Sequence, residues 1–287
     1  MKFLVFGACG MAGHTIALYL CEQGHEVLGF DLRKSPVCDS ITGDVMDREL
    51  VKAIVQDGQF DALINCVGLL NEFAEQNKAN AVYLNSYWPH FLAEIASHSD
   101  THVIHMSTDC VFSGDHGEYT ETDFKDGHTF YDRTKALGEL DYGRNITLRN
   151  SIIGPDINPN GIGLFNWFMK QSCPIKGYRE VLWTGLTTLQ LAKTMERAAM
   201  ERASGLYNMV FGQPISKYNL LNLVNEYMRS GKIRIDADDN PKIDKSLKRT
   251  NFNFAMIVPD YTIMMRELAE WIFAHKALYP HYNLEDK

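Results

Sequence analysis

The chain has little that would suit it to a membrane, a polyanion or an oxidising compartment. Its 287 residues contain no run of eighteen apolar residues, so no spanning helix and no membrane partner are expected. Positive charge is scarce. Lys and Arg number 28 against 36 Asp and Glu, a formal net charge of -8, whereas nucleic-acid binding rests on a positive surface whose contacts displace counterions. No nucleic-acid partner is expected, and any nucleotide must be held by a locally built site. The six cysteines, at positions 9, 21, 38, 66, 110 and 173, form no CxxC pair and no disulfide-like ladder, which points to reduced thiols. No HExxH or other chelating spacing occurs, so no metal site is expected. Internal repeats and low-complexity segments are absent too. The apolar start KFLVFG runs straight into glycines instead of a cleavable signal segment, and a cytoplasmic location is the expectation. The Asn145-Ile146-Thr147 sequon would then be a coincidence.

What is present is alternation. Strand-like runs at 2–7, 26–31, 61–65, 102–106 and 146–149 are interleaved with helical patterns at 11–23, 48–56, 80–97 and 131–142. Successive βαβ units of this kind predict an α/β fold, a doubly wound parallel sheet of the Rossmann type. After Asn150 the texture changes, with Gly154, Pro155, Pro159, Gly161 and Gly163 crowded together, which interrupts regular structure. Helix over 187–202 and strand over 205–210 would return the chain to the sheet, followed by helix over 213–229, a strand-like KIRID and an acidic turn at 236–240. The expected organisation is a dinucleotide-binding domain over 1–153, completed by 186–210. Segments 154–185 and 211–287 would form a smaller mixed α/β substrate lobe. The polar end, 281–287, is expected to be loosely held.

The glycine run GACGMAG (7–13) follows the first strand and opens the first helix. Its glycines would let the backbone turn tightly and approach a pyrophosphate, with amide donors at the helix N-terminus. Asp31 ends the second strand, as the dinucleotide pattern requires. The expected cofactor contacts are therefore Gly7, Cys9, Gly10, Met11 and Gly13, then Asp31, Leu32 and Arg33, then Asp44 and Val45, and at the end of the third strand Cys66, Val67 and Gly68. Asp31 can accept from both ribose hydroxyls and favours NAD(H), whereas Arg33 and Lys34 could attract the 2′-phosphate of NADP(H), so the preference stays open. Asp44 either lies near the adenine edge or caps the following helix.

The run YDRTK places Tyr131 and Lys135 one helical turn apart on one face, close enough for the ammonium to favour ionisation of the phenol. Reducing a ketone needs a hydride on carbon and a proton on oxygen, and such a tyrosine can give that proton. Thr108, at the end of the fourth strand beside Ser107, would hold the carbonyl oxygen in line or else cap the following loop.

These motifs, with STDCVFSG (107–114), GEYTETD (117–123), LGE (137–139) and LRNSIIGP (148–155), make the chain resemble the extended short-chain dehydrogenase/reductases, and among them the dTDP-4-dehydrorhamnose reductase group. The resemblance implies NAD(P)H-dependent reduction of a 4-keto-6-deoxy sugar nucleotide in cell-surface polysaccharide sugar biosynthesis. Thr108, Tyr131 and Lys135 would be catalytic, with Tyr131 and Lys135 also at the cofactor and Lys135 on its ribose. Asn85 would support the active-site loop from behind, or else face solvent. The implied partner is a nucleotide sugar, with a homodimer left open. The Gly-Ser-Pro-Thr segment expected of the group is replaced by Gly185-Leu186-Thr187-Thr188.

Relatives with the same core differ beside Thr108. A dehydratase would show Thr-Asp-Glu, but Cys110 stands where the glutamate would be. An epimerase-reductase would carry a cysteine there, as this chain does, together with a histidine between 154 and 185, where none occurs. A nucleotide-binding regulatory subunit, like the methionine adenosyltransferase β subunit, is the alternative of another class. For a diphosphate the later segments offer Lys176, Arg179, Lys242, Lys245, Lys248 and Arg249. Trp167, Tyr178 and Trp183 would serve either as stacking platforms or as core.

Overall fold

The structure is a computed structural model that describes residues 1–284. In chain order the strands of the first half are β1 (Lys2–Phe6), β2 (Glu26–Asp31), β3 (Asp39–Thr42), β4 (Ala62–Asn65), β5 (His102–Ser107) and β6 (Ile146–Arg149). They are followed by β7 (Ser151–Ile153), β8 (Ile175–Tyr178), β9 (Val181–Trp183), β10 (Gly185–Thr187), β11 (Gly205–Asn208), β12 (Ile215–Ser216), β13 (Ile235–Asp238) and β14 (Ile243–Asp244). Seven of them form one parallel sheet in the order β11-β6-β5-β4-β1-β2-β3. The remaining strands make small two- and three-stranded pairings, β10-β7, β12-β9-β14 and β13-β8.

A parallel sheet is covered on both faces, and the side chains of β1 show it. Phe3 and Val5 join one buried cluster with Ile16 and Leu20 of α1 (Met11–Glu22), while Leu4 and Phe6 join another with Val51 and Val55 of α2 (Arg48–Gly58). The short helices α3 (Asn71–Gln76) and α4 (Lys78–Ala81) lead into α5 (Trp88–Ala96), which covers the second face. Next come α6 (Phe130–Leu137), α7 (Leu164–Met169), α8 (Thr188–Glu201), α9 (Lys217–Arg229) and α10 (Tyr261–Ala274). Of these, α8 packs beside α1, and α9 and α10 contribute to the same large cluster.

Several sequence expectations are corrected. The helix expected over 80–97 is not continuous, because Val82–Tyr87 forms a π-helical turn between α4 and α5. Pro89 has no N–H for the carbonyl of Asn85 four residues back, which favours a local change of winding. The helix expected to reach Tyr142 ends at Leu137, because Leu140 donates its backbone N–H to the Thr147 hydroxyl at 2.8 Å and is drawn toward β6. Strand β3 and helices α3 and α10 were not foreseen. The strand expected at KIRID is shifted into the acidic stretch, as β13. Residues 281–284 are not loose. Tyr282 is buried and its hydroxyl accepts from the backbone N–H of Asp156 at 2.8 Å, while 285–287 lie outside the described residues. Among the described residues, no helix is long and apolar enough to cross a membrane and no cluster of metal-ligating side chains occurs.

Two buried histidines give the fold a predictable acid limb. The His14 ring meets the Gly10 carbonyl at 2.8 Å through Nδ1, which must carry the proton, so Nε2 accepts from the Tyr279 hydroxyl at 2.8 Å. His102 is buried against the Ala203 carbonyl at 2.8 Å. Burial lowers both from 6.5 to about 4. The unfolded chain therefore takes up these protons first, and stability present above pH 6.5 is lost as pH falls toward 4, by up to about 3 kcal/mol per histidine. Urea midpoints measured across that window should fall with pH, and His102→Gln should flatten the curve.

Candidate active site

The site lies at the carboxyl edge of the sheet, where strands β1, β2, β4 and β5 deliver their last residues. Gly7 leaves β1 with φ of +80°, a conformation open to glycine, and an added Cβ on Gly13 would stand 2.0 Å from the Gly7 carbonyl oxygen. Helix α1 therefore starts hard against the end of β1. Its N-cap, Gly10, offers no side chain to the first-turn amides, which leaves them available to an anion. Gly13→Ala is expected to cost about 1–3 kcal/mol, because the clash is with backbone that cannot rotate away; the urea midpoint reads this directly.

Two cavities open along this edge. One, of about 250 Å³, is lined by Gly7, Asp31, Leu32, Asp44 and Val45 among others. The second, of about 340 Å³, is lined by Met11 and Gly13 and by Thr108, Asp109, Tyr131 and Lys135. They share Gly10, Cys66, Val67 and Gly68, so one cleft runs from the Asp31 carboxylate to the Tyr131 phenol.

Tyr131 sits in the first turn of α6, which begins with a reciprocal capping box between Thr129 and Asp132. Burial holds its phenol well above the usual value near 10, with Cys110 adding to the effect and the Thr108 hydroxyl opposing it. The side chain is therefore a neutral, proton-bearing group. Lys135 donates to the Met106 carbonyl at 2.8 Å. Loss of hydration lowers its ammonium from 10.5 to about 8, against the pull of Glu139 and Cys66. The hydroxyl of Thr108 eases the ionisation of the Tyr131 phenol. Thr108 itself donates to Asp109 at 3.1 Å and accepts from the Cys110 backbone at 3.1 Å.

Beneath the site lies a buried ion pair. Arg149 at the end of β6 donates through Nε and Nη2 to the two oxygens of Glu139 at 2.8 and 2.7 Å. Lys125 reaches the same carboxylate at 2.8 Å, and Ser107 donates to it at 2.7 Å. Ser107 and Thr108 both line the cavity, but the hydroxyl of Ser107 is used in scaffolding while that of Thr108 bears on the Tyr131 phenol.

A model of the RmlD substrate binding domain family matches residues 1–148, just over half of the 287. The chain belongs to this family. A probable low-salt glycan biosynthesis reductase of Haloferax volcanii is 33% identical over 143 residues, 48% of each chain, so the match spans about half the length of that relative. The dTDP-4-dehydrorhamnose reductase of Escherichia coli is 25% identical over 97% of this chain and its own whole length. The solved dTDP-4-dehydrorhamnose reductase of Bacillus anthracis in complex with NADP has a TM-score of 0.78 at 16% identity, covering 93% of this chain and 98% of that one. That structural likeness shows the shared fold, the seven-stranded Rossmann-like sheet.

Most residues singled out in the sequence line the cleft, and three do not. Cys9 turns its thiol to the Arg33 carbonyl and gives its backbone N–H to Asp31 at 2.9 Å. Arg33 is exposed and lines neither cavity. Asn85 is fully buried behind the cleft, exchanging hydrogen bonds with both backbone groups of Leu69 at 2.8 and 2.9 Å and donating to Thr134 at 3.1 Å. It fastens the 66–70 loop to α6 and touches neither cavity. Asp44 is not the helix cap; Asp47 is, accepting from Leu50 at 3.1 Å, which leaves Asp44 on the cavity wall. Of the later cations, Lys176 and Arg179 are paired with Asp238 and Asp239, and Arg249 is spent on the carbonyls of Asn251, Phe254 and Met256. Lys245 alone among the six bears on Asp109, and Lys217, which the sequence reading missed, does so as well. Asn71 and Asp109 also line the cavity unforeseen. Asp109 was legible as the neighbour of Thr108, whereas nothing local marks Lys217.

Proposed function

We propose that the chain is an NAD(P)H-dependent reductase of a 4-keto-6-deoxy sugar nucleotide, working in the cytoplasm in polysaccharide precursor synthesis. The observation that carries this reading is the single cleft joining the Asp31 carboxylate to the buried Tyr131, Thr108 and Lys135. The glycine loop, the uncapped start of α1 and Asp31 fit a dinucleotide: amides for its pyrophosphate and a carboxylate for its ribose hydroxyls. When bound, the cofactor supplies the hydride.

The chain's own part is the proton. Tyr131, neutral at physiological pH, gives its hydroxyl proton to the carbonyl oxygen as that oxygen gains charge. Thr108 turns its hydroxyl from Asp109 to the same oxygen and holds it in line. Lys135, charged below about pH 8, supplies the cation that stabilises the phenolate left behind. Segments 154–185 and 211–287 would form the substrate lobe over this cleft. Reduction is favoured over epimerisation because Cys110, pushed up to about 12 by burial and Asp109, is a neutral thiol at working pH. No histidine lines the cavity among the described residues.

The test is NADH and NADPH oxidation with dTDP-, GDP-, UDP- and CDP-linked 4-keto sugars. Turnover of at least one is expected. Solvent deuterium at sugar C3 or C5 would replace this reading with epimerisation. Tight cofactor binding with no turnover of any, and a stable protein partner, would replace it with a regulatory subunit.

A further inference from the structure

Gly10, the N-cap of α1, closes a tight turn by donating its N–H to the Gly7 carbonyl at 3.0 Å, and it has no side chain to steady the peptide that follows. That peptide is steadied from inside the helix. The Gly10 carbonyl accepts from the backbone N–H of His14 at 3.1 Å and from Nδ1 of the His14 ring at 2.8 Å, so both of its lone pairs are used. A peptide is planar and trans, so fixing this carbonyl also fixes the Met11 N–H, which points the opposite way, out of the helix start, where Gly10 and Met11 line the catalytic cavity. Only one tautomer of His14 serves. A proton on Nε2 instead would turn the bare lone pair of Nδ1 on the carbonyl oxygen. The choice is made from the far end of the chain, by the hydroxyl of Tyr279 at 2.8 Å from Nε2. The Thr15 hydroxyl, 3.5 Å from the same nitrogen, is engaged with Thr188 at 3.3 Å. Tyr279 lies between two short 3-10 turns, Lys276–Leu278 and Pro280–Tyr282, its ring stacked on Tyr282 at 5.6 Å and 6.5 Å from that of Trp271. His14 and Tyr279 are both buried, which makes an unmet ring nitrogen costly.

We infer that His14 and Tyr279 are positioning residues for the dinucleotide: the Tyr279 hydroxyl selects the His14 tautomer that holds the Gly10–Met11 peptide with its N–H toward the pyrophosphate. This rests on the cofactor reading above and adds to it a determinant of affinity outside the site. The gain is preorganisation. A glycine turn free to rotate would have to be ordered by each incoming dinucleotide, whereas here its order is set on folding. Neither side chain lines either cavity of the cleft, so the effect falls on dinucleotide affinity and not on the chemical step.

The experiment is equilibrium binding of NADH and NADPH to the full chain, read by calorimetry, with ring-nitrogen NMR shifts of His14 and steady-state rates beside it. Tyr279→Phe removes one hydroxyl and keeps the stacked ring. It should weaken both dinucleotides alike, roughly three- to tenfold, because the pyrophosphate is common to them. kcat at saturating dinucleotide should stay at the parent's value, and His14 should lose its uniform Nδ1–H signature. His14→Leu should weaken both dinucleotides at least as much, and His14→Asn, whose amide can still donate to the Gly10 carbonyl, should recover part of the loss. Tyr282→Phe is the control: it removes a hydroxyl from the same segment, the one that accepts from Asp156, and should leave dinucleotide affinity unaltered. Undiminished binding in Tyr279→Phe, or an equal loss in Tyr282→Phe, would overturn this assignment and leave the reductase reading standing. A parent chain that binds neither dinucleotide would overturn both.

Discussion

Tyr131→Phe is expected to lower kcat for ketone reduction by about 10²–10⁴-fold, the usual worth of a positioned proton donor. The melting temperature and the dinucleotide Kd should stay close to those of the parent. The ring is buried beside Ala74 and Ala81, and the substitution keeps it there. What disappears is one hydroxyl that Thr108 polarises and that faces the 340 Å³ cavity. Single-turnover rates with saturating NADPH separate this from a binding defect, since losing only the proton donor leaves ground-state affinity in place. A kcat within threefold of the parent would mean that the proton comes from another group on the wall, such as Cys110, Asp109 or Lys135. The pH profile sharpens the assignment: activity carried by the Lys135 ammonium should decline as pH rises through about 8.

The second large effect concerns stability. Arg149→Leu is expected to destabilise the protein by about 3 kcal/mol or more, because it leaves a buried carboxylate short of its bidentate partner. Glu139 is fully enclosed, and Arg149 with Lys125 holds its carboxyl below the usual value. Its contribution is therefore present above the ordinary carboxylate range and lost as pH falls through the lowered value. The pair also ties β6, through Asn208 at 3.2 Å, to β11 and, through Ser107, to β5. Urea denaturation of Arg149→Leu, Glu139→Leu and the double variant gives the coupling. The double variant should recover part of the loss, since it leaves no unpaired charge. Equal destabilisation of the double and the sum of the singles would show the pair to be energetically idle.

Much of the amino-terminal half was readable because its signals are local. Glycines at a strand end, an acid at the next strand end and a Tyr-Lys pair one helical turn apart each report on backbone within a few residues. The glycine loop, Asp31 and the Tyr131–Lys135 pair are accordingly found along one cleft. Boundaries failed where a group outside the helical pattern intervened: Thr147 captures the backbone of Leu140 and stops α6 early, and Pro89 alters the winding around Asn85. Of the two readings of Asp44, the cap is excluded by a near neighbour, Asp47, and the place on the cavity wall is the one found.

The sequence alone thus determined the α/β alternation, the glycine turn between β1 and α1 and the Tyr131–Lys135 spacing on one helix, since period and spacing encode these directly. Only the tertiary structure decided which polar groups face the cleft and which are spent on scaffolding. Ser107 and Thr108 are neighbours of similar chemistry on one cavity wall, yet the hydroxyl of one is bound to Glu139 and that of the other bears on Tyr131. Lys176 and Lys217 border the same apolar space, yet one is paired with Asp238 and the other, without an ion pair among the described residues, acts on Asp109. A side chain's task depends on the partners that folding brings within 3 Å of it, and those partners come from segments far along the chain.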